Sequence, residues 1–364
     1  METNFGATPA YTVGVEEEFQ LVDPASRELV PAIDAVLAAV GGARLPADSV
    51  ASELSASCVE RRSPIYGTVA ELAAELPVLR REVRDLVEGC GAGLAAAGSH
   101  PFSESTAQPI TAKERYRKVD KEMGWTARMQ AIYGLHVHVA VSDAQHAIRA
   151  VNALSRHVPL FVALSANSPF WGGLDTRLAS VRVKIFNLVP RSGLPPRFRY
   201  WEDFEGYVDT LVRAGSIPDY TLCWWDVRPH PRLGTVELRT PDVQTEAART
   251  ASLAALAQCL VATAEEHPPE DPLFIEENKW RATRYGLDAQ LRDFSTGETA
   301  CARNVARTLV EALRPVSQDL GCEGELEGVL EIVEFGSGAE RQRAVFRKRG
   351  STHDVAEYLV EKTA

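Results

Sequence analysis

The sequence has few of the features that mark secreted or membrane-spanning proteins. Its six cysteines among 364 residues include no C-x-x-C pair and no zinc-finger spacing with histidine, so we expect reduced thiols. No basic stretch followed by an apolar run opens the sequence, and no run of about 18 apolar residues occurs. We therefore expect a cytoplasmic protein with no secretory signal and no membrane partner.

Positive charge is also scarce. The 39 Lys and Arg residues against 50 Asp and Glu residues give a formal net charge of −11, which disfavours nucleic acid as a partner but not a locally bound ATP. The sequence contains no Walker-type G-x-x-x-x-G-K-[ST], no convincing G-x-G-x-x-G after a strand and no G-x-S-x-G. Any ATP site is therefore built without a P-loop.

The remaining composition, 45% hydrophobic and 24% charged, is that of an ordinary globular protein. We find no repeat and no low-complexity linker, so we expect a single domain over residues 1–364. Alternation predicts strands at 11–22, 134–142 and 233–240. Helical patterns cover 68–97, 143–165, 245–266 and most of the tail from 300, with 167–198 mostly loop and a kink or break expected at Pro77 and Pro159. This order predicts an α+β fold with a largely antiparallel sheet.

Two carboxylates in the first predicted strand suggest a metal site. Glu16 and Glu18 project from one strand face, about 6.5–7 Å apart. Like charges this close repel, and a divalent cation such as Mg²⁺ relieves the repulsion. The alternative is a solvated acidic edge strand. Glu17 falls on the apolar face, so we expect a bulge or an exposed edge there.

A second acidic pair, Glu53 and Glu60, has an odd separation. One regular strand would place the two side chains on opposite faces. Convergence on a metal therefore needs a bulge or turn between them, and the alternative is an ordinary charged surface.

Two histidines, His136 and His138, share one face of the predicted strand at 134–142. Neutral imidazoles can hold zinc, and they can also contact a phosphate or a substrate carboxylate. A pair of structural histidines remains the third interpretation.

The segment at 224–239 combines paired tryptophans with charged residues. It is read either as a core aromatic pair capped by an Arg–Asp contact or as part of a binding site. Glu237 and Arg239 share a strand face and can hold a metal and a phosphate respectively, although a cross-strand salt bridge is the alternative.

A basic cluster and a proline-rich loop lie at 182–197. The loop at 190–196 is stiffened by its prolines and can place cations against phosphate oxygens, or it can be ordinary charged surface. The cluster consists of Arg182, Lys184, Arg191 and Arg197. Together with carboxylates that hold Mg²⁺, such cations suit phosphoryl transfer, where positioning and charge neutralisation dominate.

Seven separated blocks carry a specific resemblance. They are GVEEEFQLVDP at 14–24, GSHPF at 98–102, GLHVHVAV at 134–141, LSANSPFWGGLDTRLAS at 164–180, PRSGLPPRF at 190–198, WWDVRPHPRLGTVELR at 224–239 and ENKWRATRYGLDA at 277–289. In this order, they resemble bacterial carboxylate–amine ligases of the glutamate–cysteine ligase type 2 family.

The resemblance implies a glutamine-synthetase-like fold, in which a curled, mainly antiparallel sheet forms an active-site funnel with helices packed outside. It also implies ATP-dependent amide formation. A carboxylate, usually the side chain of glutamate, attacks the γ-phosphate, and an amine then attacks the acyl phosphate, with release of ADP and phosphate. The expected partners are ATP and small carboxylate and amine substrates, and relatives that assemble as dimers or larger allow a homo-oligomer here.

The family motifs carry roles onto individual residues of this sequence. The implied metal-binding carboxylates are Glu16, Glu18, Glu53, Glu60 and Glu237. The implied catalytic residues are Arg182, Glu237 and Arg239. The implied nucleotide-binding residues are His136, Arg191, Trp225, Arg228 and Arg239.

The sequence departs from the family pattern at 63–66, 176–180 and 240–242. These departures leave the implied metal-binding carboxylates intact and lie in segments expected to determine substrate specificity. They leave open whether the acid is glutamate and which amine accepts it. Two other hypotheses are a zinc hydrolase that uses His136 and His138, and a non-catalytic relative that binds nucleotide or an amino acid.

Overall fold

The computed structural model describes residues 1–42, 45–46 and 48–363, and it contains one large sheet and several small ones. The strands are β1 Val13–Val22, β2 Val50–Ser52, β3 Cys58–Arg62, β4 Gly93–Ala95, β5 Leu135–Ala140, β6 Phe170–Trp171, β7 Leu174–Asp175, β8 Ser192–Gly193, β9 Trp224–Trp225, β10 Val227–His230, β11 Thr235–Leu238, β12 Gln290–Arg292 and β13 Thr299–Cys301.

Helices surround this sheet. They are α1 Ile33–Val40, α2 Val69–Gly89, α3 Glu114–Met123, α4 Trp125–Arg128, α5 Ala144–Ser165, α6 Val181–Phe186, α7 Trp201–Arg213, α8 Ala247–Ala262, α9 Pro272–Tyr285, α10 Ala302–Asp319, α11 Glu323–Phe335, α12 Gly338–Arg349 and α13 Thr352–Lys362. Within the described ranges, none of these helices is both long and apolar enough to cross a bilayer.

The large sheet has seven strands in the order β10–β11–β5–β1–β3–β2, with β4 also paired to β1. All of these pairs are antiparallel. The predicted α+β class with a largely antiparallel sheet is therefore confirmed.

The two faces of the sheet differ because side chains alternate along each strand. Val13 and Val15 of β1 and Leu135 and Val137 of β5 belong to a core cluster that also contains buried residues of α2, α5 and α8. The opposite face carries most of the charged residues of the sheet, and the strand register brings those of neighbouring strands opposite one another. This polar face is where a site can form.

Most predicted elements are present. The strands predicted at 11–22, 134–142 and 233–240 correspond to β1, β5 and β11. The helices predicted at 143–165 and 245–266 correspond to α5 and α8, and the tail is largely helical. Asp143 caps α5 by accepting a hydrogen bond from the backbone N–H of His146. The six cysteines are free thiols, as their spacing predicts.

One local prediction was wrong. The helix expected to reach residue 97 ends at Gly89, and β4 follows because pairing with β1 buries that segment. Pro77 and Pro159 lie inside α2 and α5 and neither proline breaks its helix, since tertiary packing outweighs the one backbone hydrogen bond that each proline removes; a kink at these positions stays a prediction. The segment at 167–198 is mostly loop, as predicted, and it also contains α6 and the short strands β6, β7 and β8.

Glu17 also departs from expectation, because β1 has neither a bulge nor an exposed edge there. Its pairing with β3 runs without interruption through Glu17 and Arg61. The Glu17 side chain is 2% exposed and forms an ion pair with Arg80 of α2 at 2.5 Å. Thr250 of α8 donates a further hydrogen bond to the same carboxylate. Glu17 therefore ties the sheet to two helices through a fully buried charge pair.

Breaking this pair is expected to destabilise the fold. Arg80→Met leaves the Glu17 carboxylate buried without its cation, and loss of one partner of a buried pair costs about 3–5 kcal/mol. We expect urea unfolding to show a loss in this range. Arg81→Met, at the exposed neighbouring position, is the control and is expected to change the free energy of unfolding by about 0.5 kcal/mol or less. Equal stability of the two variants would contradict the assigned role of the pair.

Candidate active site

A cavity of about 750 Å³ lies over the polar face of the sheet. All five predicted metal-binding carboxylates line it, together with His136, His138, Arg228 and Arg239. Glu60 and Glu237 are only 2% and 1% exposed, so these two are not part of an ordinary charged surface. Residues that are far apart in the sequence therefore meet in one place.

Strand pairing explains this convergence. Glu16 of β1 stands opposite His136 of β5, Glu18 opposite Glu60 of β3, and Glu237 of β11 opposite His138. Cross-strand partners in an antiparallel sheet have their side chains on the same face. The polar residues of four adjacent strands thus form one continuous surface.

Glu53 lies on the same surface because the chain turns between Glu53 and Glu60. Without that turn, their odd separation would place the two side chains on opposite faces of one strand. β2 ends at Ser52 and pairs antiparallel with β3, so the chain reverses between the two glutamates. Ligand atoms of Glu18, Glu53 and Glu60 lie within 4.8 Å of one another.

Two further groups of possible metal ligands overlap with this one. Each group has its ligand atoms within 4.8 Å, and neighbouring groups share a glutamate. The groups are Glu18 with Glu53 and Glu60, Glu16 with Glu60 and His136, and Glu16 with His138 and Glu237. Carboxylate oxygens dominate all three, which fits Mg²⁺. In addition, the buried Nε2 of His138 has no hydrogen-bond partner among the residues that the structure describes.

The pKa values of Glu18, Glu53 and Glu60 show that ionising this buried group without a cation is unfavourable. Burial raises the pKa of Glu18 to about 7, despite the opposing charge of Arg182. Burial, with the charge of Glu18, raises the pKa of Glu53 to about 7. The pKa of Glu60 lies well above its ordinary range because of burial and the charges of Glu16 and Glu53. These carboxyl groups therefore keep protons near neutral pH unless a cation replaces them.

Glu16 and Glu237 behave in the opposite way because cationic or donor groups face them. Burial opposes ionisation of Glu16, but its hydrogen bond with His136 and its close contact with His138 hold its pKa well below the ordinary range. Burial also opposes ionisation of Glu237, but the charges of Arg228 and Arg239 outweigh it and lower its pKa strongly. Both groups are therefore carboxylates at neutral pH.

The two imidazoles are also distinct. Burial and the charge of Arg239 lower the pKa of His136 to about 4, so it is neutral. Burial opposes protonation of His138 as well, but its contact with Glu16 and the charge of Glu237 raise its pKa. One strand face thus presents a neutral and a more basic imidazole.

Arginines complete the wall around Glu237. Arg228 donates from Nε at 2.6 Å and from Nη2 at 3.3 Å to the Glu237 carboxylate. Arg239 forms a close ion pair with the same group, while its own Nε is buried and has no hydrogen-bond partner in the described part of the chain.

Arg182 lies beside a second, smaller cavity of about 110 Å³. This cavity shares Glu18, Glu53, His136 and Arg239 with the first, and the rest of its lining is largely apolar. Arg182 donates to the carbonyl oxygens of Thr240 at 3.0 Å and Arg239 at 3.2 Å. Its guanidinium also occupies the space that a side chain at Gly134 would need, which explains the glycine there. Of the three predicted catalytic residues, Arg239 lines both cavities, Glu237 lines the large one and Arg182 lines the small one.

Two of the predicted nucleotide-binding residues are not brought to either cavity. Trp225 is 2% exposed and packs among aromatic residues that include Phe198 and Tyr207. Trp224 lines both cavities in its place. Arg191 is absent from both linings and lies 5.9 Å from the Trp224 ring.

Comparison with known proteins identifies the family of this chain. The model of "Glutamate-cysteine ligase family 2 (GCS2)" matches residues 12–361. The chain belongs to this family. A Rubrobacter xylanophilus protein provisionally named glutamate–cysteine ligase 2-3 is 66% identical over the full length of both chains. A Thermobifida fusca protein provisionally named glutamate–cysteine ligase 2 is 39% identical over 100% of this chain and 93% of its own.

Two solved structures of other proteins have a fold similar to that of this family 2 protein. Glutamate–cysteine ligase from Francisella tularensis, crystallised with AMP, has a TM-score of 0.70 at 13% identity over 98% of this chain and 89% of its own. A bifunctional glutathione synthetase from Pasteurella multocida has a TM-score of 0.68 at 14% identity over 97% of this chain and 52% of its own. The expected glutamine-synthetase-like α+β fold is confirmed, and the family makes the protein a carbon–nitrogen ligase.

Sequence reasoning missed some residues of this family 2 site. Arg62 forms an ion pair with Glu60 at 2.6 Å, and the alternation of β3 places both side chains on one face, so the sequence contained a signal for it. Asp242 accepts hydrogen bonds from Ser168 and Ser180, and lies 4.0 Å from Arg182. No local pattern marks Asp242, because its partners lie more than 60 residues away.

The raised carboxyl pKa values predict a pH-dependent effect of Mg²⁺. Ionisation of Glu18 and Glu53 as pH rises through about 7 destabilises the metal-free fold, and a bound cation removes this cost. At pH 6 the cation must instead displace protons. We expect Mg²⁺ to raise the melting temperature more at pH 8 than at pH 6, as measured by differential scanning fluorimetry. Glu53→Gln is expected to reduce this difference, and an equal rise at both pH values would contradict the assignment.

Proposed function

We propose that this protein is a Mg²⁺- and ATP-dependent carboxylate–amine ligase whose residues 1–364 form one catalytic domain. The convergence of five carboxylates with Arg182 and Arg239 around connected cavities carries the proposal. A cavity lined by carboxylates can bind a polyphosphate only when cations lie between the carboxylates and the phosphates. The family membership supports the reaction class.

The proposed metal ligands are the members of the three overlapping groups. The five glutamates would supply most of the ligand atoms, and His136 and His138 would complete individual positions. Bound Mg²⁺ supplies positive charge that neutralises phosphate oxygens and orients them. The chain's own task is to hold these ligands rigidly, which the paired strands do.

The nucleotide would lie along the same face, with its phosphates toward Arg239 and near His136. Arg228 keeps Glu237 in place through two hydrogen bonds, so it acts on the site through that carboxylate. Arg191 and Trp225, which lie outside the cavity linings, contribute only by supporting the segment that contains Trp224.

The acid substrate would react where the two cavities meet. One of its carboxylate oxygens attacks the γ-phosphorus of ATP, the bond from that phosphorus to the β-γ bridging oxygen breaks, and ADP leaves. The amine nitrogen then attacks the acyl carbon, and phosphate leaves as the amide forms. Arg182 and Arg239 neutralise charge on the transferring phosphoryl group, and they are already held in position before the reaction. The names of the relatives support a glutamate-like acid.

Glu237→Gln tests the catalytic assignment. The amide keeps the size of the side chain but removes the charge that faces Arg228, Arg239 and the proposed metal, so we expect turnover to fall at least about 100-fold. Circular dichroism is expected to show the same secondary structure. Glu202→Gln, at an exposed position of α7, is the matched control and is expected to keep wild-type activity. Undiminished turnover in Glu237→Gln would count against the site.

The reaction type can be tested by trapping. Hydroxylamine converts an acyl phosphate into a hydroxamate, so we expect hydroxamate that depends on both ATP and the acid substrate. The nucleotide product is expected to be ADP, as identified by chromatography. Formation of AMP and pyrophosphate would contradict phosphoryl transfer to the acid, and the Glu237→Gln protein serves as the inactive control.

A further inference from the structure

Arg62 is the one guanidinium within ion-pair distance of Glu60 in the described part of the chain. Its Nε donates to Glu60 Oε1 at 2.6 Å and lies 3.6 Å from Glu16 Oε1. Strand register places it directly across from Glu16. Two other arginines that line this cavity, Arg228 and Arg239, face Glu237 instead.

The two carboxylates that Arg62 contacts belong to one proposed metal position, together with His136. A guanidinium and a divalent cation repel each other strongly at such short distances in a partly buried site. Arg62 in its present position therefore competes with a cation for Glu16 and Glu60.

The exposure of the Arg62 side chain would also allow it to move away from Glu16 and Glu60. It is 45% exposed, whereas the Glu60 side chain is 2% exposed. Among the described residues, only its Nε has a side-chain partner, so both terminal amino groups are without one. Arg62 lines the large cavity. The terminal amino groups of a guanidinium have the geometry for bidentate contact with phosphate oxygens.

We propose that Arg62 takes the place of a divalent cation in the metal-free enzyme and moves to the phosphates of the nucleotide when the cation binds. This proposal rests on the proposed function, since it requires a metal position between Glu16 and Glu60. It adds a residue that links metal binding to nucleotide binding.

Arg62→Gln tests the first half of the proposal. Arg115→Gln is the matched control, because Arg115 is exposed, lines the same cavity and forms no ion pair among the described residues. The full-length protein without metal or nucleotide is titrated with Mn²⁺, and free Mn²⁺ is measured by electron paramagnetic resonance. We expect the dissociation constant of the tightest site to fall at least about threefold in Arg62→Gln and to change less than about twofold in Arg115→Gln.

The outcomes separate this inference from the proposed function. If wild-type protein binds Mn²⁺ and the two variants change equally, or if Arg62→Gln binds more weakly, the inference is overturned while the metal site stands. If neither wild-type protein nor Arg62→Gln binds Mn²⁺, the proposed metal site itself is overturned.

The second half is tested with nucleotide. Calorimetry with a non-hydrolysable ATP analogue and saturating Mg²⁺ is expected to show at least fivefold weaker binding in Arg62→Gln. Less than twofold weaker binding is expected in Arg213→Gln, the control for this measurement, because Arg213 is exposed at the end of α7 and lines neither cavity. Arg62→Lys restores the charge without the planar fork, so partial recovery is expected. Equal affinity of wild-type protein and Arg62→Gln would overturn the movement of Arg62 to phosphate. Melting temperatures confirm that the variants are folded.

Discussion

The constraint on which the site depends is the mutual repulsion of carboxylates that the fold holds together out of water. Glu18, Glu53 and Glu60 lie in one group, and each has a pKa raised by burial. Such a group is costly unless protons or cations neutralise it. The strand pairing that causes the crowding also fixes the positions of the proposed metal ligands, so the cost to the fold and the proposed cation binding have the same origin.

The three consecutive glutamates of β1 have different roles because successive side chains of a strand point to opposite faces of the sheet. Glu16 and Glu18 face the cavity, whereas Glu17 faces the helices and forms a buried pair with Arg80. Arg80 also donates to the carbonyl oxygens of Gln244 and Thr245, a few residues after β11. Glu17 thus connects the back of the central strand to the segment that follows Glu237, which holds the two acidic parts of the site in register.

The sequence predicted the fold class and most of the central elements because alternation and helical periodicity are local signals. It also predicted the five carboxylates as a set, through strand faces and family motifs. It failed at Glu17, since a single sequence does not show that Arg80 lies opposite it. It selected Trp225 instead of Trp224 because two adjacent tryptophans on a strand point to opposite sides, and only the tertiary packing decides which side is the cavity. Asp242 was missed for the same reason.

The arginines of the site differ in their hydrogen-bond partners. Some are paired with a carboxylate and stabilise the site, whereas others have a positive charge that the protein neutralises only in part. Arg228 gives two hydrogen bonds to Glu237, so its charge is largely neutralised within the protein. Arg182 instead donates to the carbonyl oxygens of Thr240 and Arg239, and carbonyl oxygens carry no net charge. Burial therefore lowers the pKa of Arg182 while its positive charge is only partly compensated by Asp242. An anion that entered the smaller cavity would meet that charge, and this is why the proposed phosphoryl transfer is placed beside Arg182.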